Sequence, residues 1–255
     1  MNLYIKREPD KPSSRGRILY GLDASHRTYQ RLTPPLPSTP ADLAATKTIS
    51  AASFHFFDTP TTVNAQIDEI TALRAQQGIQ PQPLYIWEPQ AKSCSPETLE
   101  QHRHLLNKVD IFSPNHAELA SFFAPTPIGV SFDKALVEVQ AEAFVPTAIS
   151  RAYCMIVRCA EHGCFVIAVS AVGVRRAWLP AYHLSGSDKV VDTTGAGNAF
   201  LGGAAMGYLK ENDFLKAAVY GTVAASFAVE TVGLPKVREC DALARLSEYL
   251  SRHKA

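Results

Sequence analysis

The chain is 255 residues long, with 46% apolar and 19% charged residues. That balance excludes a disordered or low-complexity protein and sets one large or two small globular domains. Twenty-five basic against 24 acidic residues leave a net charge of +1, so no basic footprint for nucleic acid or an anionic membrane is present, and no apolar run approaches the roughly 20 residues of a membrane helix.

The N-terminal residues, Met1 to Glu8, have no apolar run after their charges, so no signal peptide and a cytoplasmic location are expected. Residues 1–49 read as an irregular segment. Arg17 to Leu32 has room for one or two strands, with a turn at Gly21 to Ser25; prolines follow at 34, 35, 37 and 40, and the stretch Leu32 to Pro37 cannot be the interior of a helix. From residue 50 a regular core begins. Ser53 to Phe57 predicts a short strand. Val63, Ile67, Ile70 and Leu73 recur at helical spacing before Gly78, a residue suited to the position after a helix. Leu84 to Trp87 predicts a strand, 96–107 a helix with Pro96 in its first turn, and Val109 to Phe112 a third strand. Asn115 is a good N-cap for a helix over His116 to Phe123. Met155 to Arg158 and Phe165 to Val169 predict two more strands, and Gly195 to Leu209, Phe214 to Thr231 and Asp241 to His253 three helices. Strands alternating with helices predict an α/β fold of three layers, a mostly parallel sheet with helices on both faces.

The five cysteines are odd in number and form no C-x-x-C, so reduced, structural thiols are expected. His102 and His104, two residues apart, do not share a helix face, and solvated helix histidines are expected rather than metal ligands. In a parallel sheet, ligands bind beyond the carboxyl ends of the strands. The loops of interest are therefore Glu88-Pro89, Ser113 to Asn115, Ala160 to Gly163 and Asp192 to Gly197.

Glycine is unevenly spread. Three of 14 glycines lie before residue 128, and six lie between 186 and 207. The dense segment reads Val190-Val191-Asp192-Thr193-Thr194-Gly195-Ala196-Gly197-Asn198-Ala199-Phe200-Leu201-Gly202-Gly203. A hydrophobic pair enters a polar turn, glycines let the backbone approach a ligand, and a helix of small residues follows. Free N–H groups at its start suit a phosphate or other oxyanion. A Walker loop is excluded because no G-x-x-x-x-G-K-[ST] is present. A dinucleotide fingerprint is disfavoured, since Phe200 occupies its third glycine position and the cluster lies near the C-terminus. A purely structural glycine turn stays open from this segment alone.

D-T-T-G-A-G-N-A-F at 192–200 resembles the D-T-x-G-A-G-D-x-F signature of the ribokinase or PfkB family of carbohydrate kinases, and eight of nine positions agree. Asn115-His116-Ala117-Glu118 resembles the family's N-x-x-E motif. Arg158 to Gly163 resembles its T-x-G-x-x-G turn, of which only Gly163 is kept. Ala224 to Val229 followed by Gly233 resembles the small-residue helix and loop beside adenine. The resemblance covers roughly 50–253. W-E-P at 87–89 and S-P-N-H at 113–116 are similar to a fungal branch that includes maintenance-of-killer proteins.

The resemblance implies ATP-dependent phosphoryl transfer to a sugar-like alcohol, with ATP, Mg²⁺ and room for a monovalent cation. The N–H groups around Gly195, Ala196 and Gly197 would form the anion hole, Glu118 would act through Mg²⁺ with Asn115 near the phosphates, and Asp192, Thr194, Gly163, Thr222 and Gly233 would serve the nucleotide. At 198 the family carries the aspartate that takes the acceptor's proton, and this chain has Asn198. A carboxamide has no usable basic site, so transfer is expected to be impaired, the alternative being a nucleotide-binding pseudokinase or interaction protein. Glu88 and Asp58, at strand ends, are weak substitutes. No glycine-pair motif precedes residue 50, so the acceptor-binding strands and lid are expected to be reduced or missing, with Arg17 to Arg31 as a lid remnant and an exposed edge or apolar patch left behind. The expected partners are a nucleotide and a sugar-like acceptor, with no nucleic acid and no membrane, and dimerisation is left open.

Overall fold

The computed structural model describes residues 7–20, 27–36, 38–123, 132–146 and 151–253. The chain divides into two compact units, residues 1–50 with 69–79, and residues 51–68 with 80–255. In the first, β1 (Gly16–Tyr20) and β2 (Arg27–Arg31) pair as an antiparallel ribbon, followed by the short helix α1 (Pro40–Ala44). The turn expected at Gly21 to Ser25 lies outside the described residues. Thr39 and Asp42 cap α1 reciprocally, which satisfies first-turn N–H groups that proline at position 40 does not add to.

The second unit holds a six-stranded sheet in the order β3 (Ser53–Asp58), β4 (Leu84–Pro89), β5 (Ile111–Phe112), β6 (Tyr153–Arg158), β7 (Cys164–Ser170) and β8 (Gly173–Leu179). The first four run parallel, β7 runs antiparallel to β6 and β8 antiparallel to β7, so three of the five strand pairs are parallel. β4 and β7 are almost wholly buried, as their unbroken apolar runs require of strands covered on both faces. Helix α2 (Pro60–Gln76) is the crossover between β3 and β4. Among the described residues β3 ends the sheet, and its Phe57 is 58% exposed.

One face of the sheet presents Ile86, Ile111, Ile156 and Val166 to α6 (Ala196–Glu211), α7 (Phe214–Val229) and Tyr249 of α8 (Glu239–His253). The other presents Trp87 and Phe112 to an aromatic group from α3 (Leu99–Leu105), the turn after α4 (His116–Ser121) and the turn after α5 (Lys134–Glu142). His102 corrects one expectation. It is fully buried, stacked on Trp87 with ring centroids 4.9 Å apart, because the apolar face of α3 includes it. Its Nδ1 lies 2.9 Å from the Thr98 carbonyl. Cys94, Cys154, Cys159 and Cys164 are buried and unbridged, and burial pushes the thiols of Cys94, Cys159 and Cys164 up to about 12, so they are inert packing groups. Among the described residues no helix is long and apolar enough to cross a membrane.

Candidate nucleotide-phosphate site

The carboxyl ends of the parallel strands and the N-terminus of α6 meet around Arg158. The residue closes β6, whose preceding five residues are buried. Its Nη2 donates to Glu88 Oε1 at 2.7 Å and to the Ser113 carbonyl at 3.1 Å, and lies 3.8 Å from Glu118 Oε2. Glu88 ends β4 and is 8% exposed. Its second oxygen is 3.4 Å from His55 Nε2 on β3. Burial pushes the Glu88 carboxyl up, but the His55 hydrogen bond and the Arg158 charge outweigh it, and the net direction is down. One guanidinium thus ties together three strand ends and the start of α4.

Asn115 and Glu118 form a capping box at that start. Asn115 N–H donates to Glu118 Oε2 at 2.8 Å, and Glu118 N–H donates to Asn115 Oδ1 at 2.9 Å. The predicted N-cap is therefore present, and it holds the Glu118 carboxylate beside Arg158.

The glycine loop lies directly over this cluster. Asp192 accepts from Thr194 N–H at 2.9 Å, a local turn that holds its carboxyl below the usual range. The N–H groups of Val191 and Asp192 donate to the Val229 carbonyl, fixing the loop to the end of α7. Gly195 is the N-cap of α6 at φ +84, a conformation that disfavours a side chain. Ala196 N–H turns back to the Thr193 carbonyl at 3.2 Å, whereas Gly197 and Asn198 N–H have no acceptor among the described residues. Of the three anion-hole positions expected, Gly195 and Gly197 thus have N–H groups without an acceptor among the described residues, joined by that of Asn198, while Ala196 N–H is engaged. A Cβ at Gly197 would collide with Arg158 Nη1 and lie 4.0 Å from Glu88 Oε1. The Asn198 side chain is exposed.

Three predicted residues lie apart from this cluster. Gly163, at φ +87 between β6 and β7, packs onto the backbone of Leu179 to Ala181. Gly233, at φ +86 after α7, has open space around it. Thr222 is 6% exposed within α7, and its hydroxyl donates to the Ala218 carbonyl at 3.0 Å. Asp58 accepts from Thr59 N–H as a turn former. Beside Val191 opens a cavity of about 560 Å³, also lined by Tyr182, His183, Asp188, Glu230 and Arg245. Glu230 there meets His183 and Arg245, each at 3.0 Å.

A family model described as the pfkB family carbohydrate kinase matches residues 29–237. The chain belongs to this family. The match starts within β2, earlier than the resemblance read from motifs alone. An uncharacterized protein of Schizosaccharomyces pombe is 32% identical over 227 residues, covering 84% of this chain and 60% of its own length. Protein MAK32 of Saccharomyces cerevisiae is 28% identical over 175 residues, covering 67% of this chain and 47% of its own. The chain thus spans about half to three-fifths of these relatives. Giardia lamblia ribokinase superposes with a TM-score of 0.63 at 17% identity, over 98% of this chain and 75% of that one. Arabidopsis thaliana ribokinase, solved with ribose and ATP, gives 0.59 at 15% over 93% and 70%. Both likenesses establish the ribokinase-like fold.

Sequence reasoning underrated Arg158, Glu88 and His55. The signal available was a charged residue closing each of two apolar strands, at the sheet end where ligands bind.

Proposed function

We propose that this chain binds MgATP at the glycine loop and retains at most slow transfer of the terminal phosphoryl group to a sugar-like alcohol. The observation that carries this reading is the α6 N-terminus, where the Gly197 and Asn198 N–H groups are without acceptors beside a resident guanidinium. The cavity beside Val191 has a volume suited to the nucleoside part. Among the described residues no three His, Cys, Asp or Glu side chains gather as a metal site. Mg²⁺ needs none, since one or two carboxylates and nucleotide oxygens suffice. Glu88 and Glu118 both face the one Arg158 guanidinium, which places two carboxylates at this end of the sheet. Glu118 would hold Mg²⁺ with the nucleotide's oxygens, and the ion would neutralise phosphate charge.

Asn198 favours the second reading, a nucleotide-binding pseudokinase. It orients a hydroxyl but cannot take its proton, and a missing general base removes about 10²–10⁴-fold in rate. Calorimetric titration with MgATP tests binding, and no heat would remove both readings. Incubation with γ-labelled ATP and a panel of sugars and nucleosides tests transfer. Turnover that rises about a hundredfold or more in Asn198→Asp marks a kinase lacking only its base. Binding without turnover in either form marks the pseudokinase.

A further inference from the structure

We propose that Arg158 is a phosphate-binding residue of the glycine-loop site, its Nη1 arm positioned for an oxygen of the nucleotide's terminal phosphates. The inference rests on the nucleotide reading above and adds a side chain to the backbone donors. A guanidinium carries five N–H donors. The two side-chain hydrogen bonds of Arg158 among the described residues, to Glu88 and the Ser113 carbonyl, both come from Nη2. Nε is buried without an acceptor, and Nη1 has none among the described residues. The side chain is nevertheless only 13% exposed. A buried donor is almost always matched, so the empty Nε shows that the clamp leaves part of the guanidinium unused, while Nη1 is not enclosed and is open to a ligand.

The idle arm has a direction. Nη1 occupies the place where a Cβ on Gly197 would be. In a helix the Cα–Cβ bonds tilt toward the N-terminus, so this arm sits beside the open first turn of α6. An anion on the Gly197 and Asn198 N–H groups would meet it there. Glu88 holds the opposite arm and keeps the guanidinium from swinging away.

The test is titration of the full chain with ATP and, by competition, with AMP, both in Mg²⁺ at fixed ionic strength. Arg158→Gln/Glu88→Gln removes the cation without stranding Glu88, and Glu118, 3.8 Å from the guanidinium, keeps its bond from Asn115 N–H. If its melting temperature matches wild type, ATP affinity is expected to fall about tenfold or more, the scale of a hydrogen bond to a charged group, with AMP changed less than about threefold. Arg158→Lys, which keeps the charge, replaces the double variant if that unfolds, and a threefold or greater loss confined to ATP is expected. Unchanged ATP affinity, or an equal loss for ATP and AMP, overturns the proposal while leaving nucleotide binding intact. Absence of ATP binding in the wild type removes the nucleotide reading and this proposal together.

Discussion

Ala160 occupies the left-handed region at φ +50, two residues after Arg158. That conformation costs a residue with a Cβ about 1–2 kcal/mol, whereas glycine adopts it freely and loses about 0.5–1 kcal/mol in backbone entropy. The sequence departs from the family's T-x-G at this position, yet the turn keeps the geometry that glycine would serve. Ala160→Gly is expected to stabilise the protein by up to about 1 kcal/mol, read as a higher urea midpoint at unchanged slope. Gly163→Ala should do the opposite, by about 3 kcal/mol or more. A Cβ there would strike the Leu179 carbonyl and sit 2.7 Å from Ala181 N, and rigid backbone cannot yield as a side chain can. A midpoint that falls in the first variant or holds in the second would contradict this account. At this scale the glycine loop and the Asn115–Glu118 box were legible, because both are local patterns of capping and backbone freedom. Arg158 was not, since its role depends on groups 70 residues away in sequence at Glu88 and further on at Gly197.

Helices α6 and α7 bring this loop into place by packing almost backbone to backbone. A Cβ on Gly203 would lie 2.6 Å from Ala224 Cβ and 2.7 Å from the Tyr220 carbonyl, while one on its neighbour Gly202 meets nothing within 4 Å. The pair makes a matched test. Gly203→Ala is expected to destabilise by about 1–3 kcal/mol through overpacking. Gly202→Ala is expected to gain about 0.5–1 kcal/mol from helix propensity. Denaturation curves for the two should move in opposite directions, and movement together would mean that the helices separate easily. The small residues that read as a ligand-loop signature therefore also set an interhelical distance. Three elements escaped the sequence reading, the first being α1, five residues that begin at Pro40 directly after a proline-rich stretch. β8 carries Arg175 and Arg176 on an edge with an exposed face, so it has no apolar run, and α5 is nine residues long, too short for its periodicity to stand out, although Asp133 does cap it. The β5 ladder is also shorter than the apolar run Val109 to Phe112, because Asp110 gives its carboxylate to Tyr85 N–H at 2.7 Å.

Across the folded chain, the strand ends that carry Glu88 and Arg158 are held from the opposite face by an aromatic layer with His102 inside it. Trp87, adjacent to Glu88, stacks on His102, meets Phe112 at a tilt and donates its indole N–H to the Asp58 carbonyl at 3.0 Å. Burial lowers the His102 imidazole below its ordinary range, against a smaller raising effect of the Thr98 carbonyl, and its Nε2 has no partner. The native state therefore keeps this ring neutral, while the unfolded chain protonates it near the usual value of about 6.5. The unfolded state binds more protons below that value, so this contribution to stability is complete above about pH 6.5 and is lost as pH falls beneath it. The loss from one such group is at most about 1.4 kcal/mol per pH unit. His102→Phe keeps a ring on Trp87 and removes the titration. Its unfolding free energy should fall less steeply than that of wild type between about pH 6.5 and 5, a window above the range where most carboxylates protonate. Parallel slopes for the two proteins would show that His102 takes up its proton equally in the native and unfolded states, and the neutral aromatic layer behind the Glu88–Arg158 strand ends would have to be abandoned.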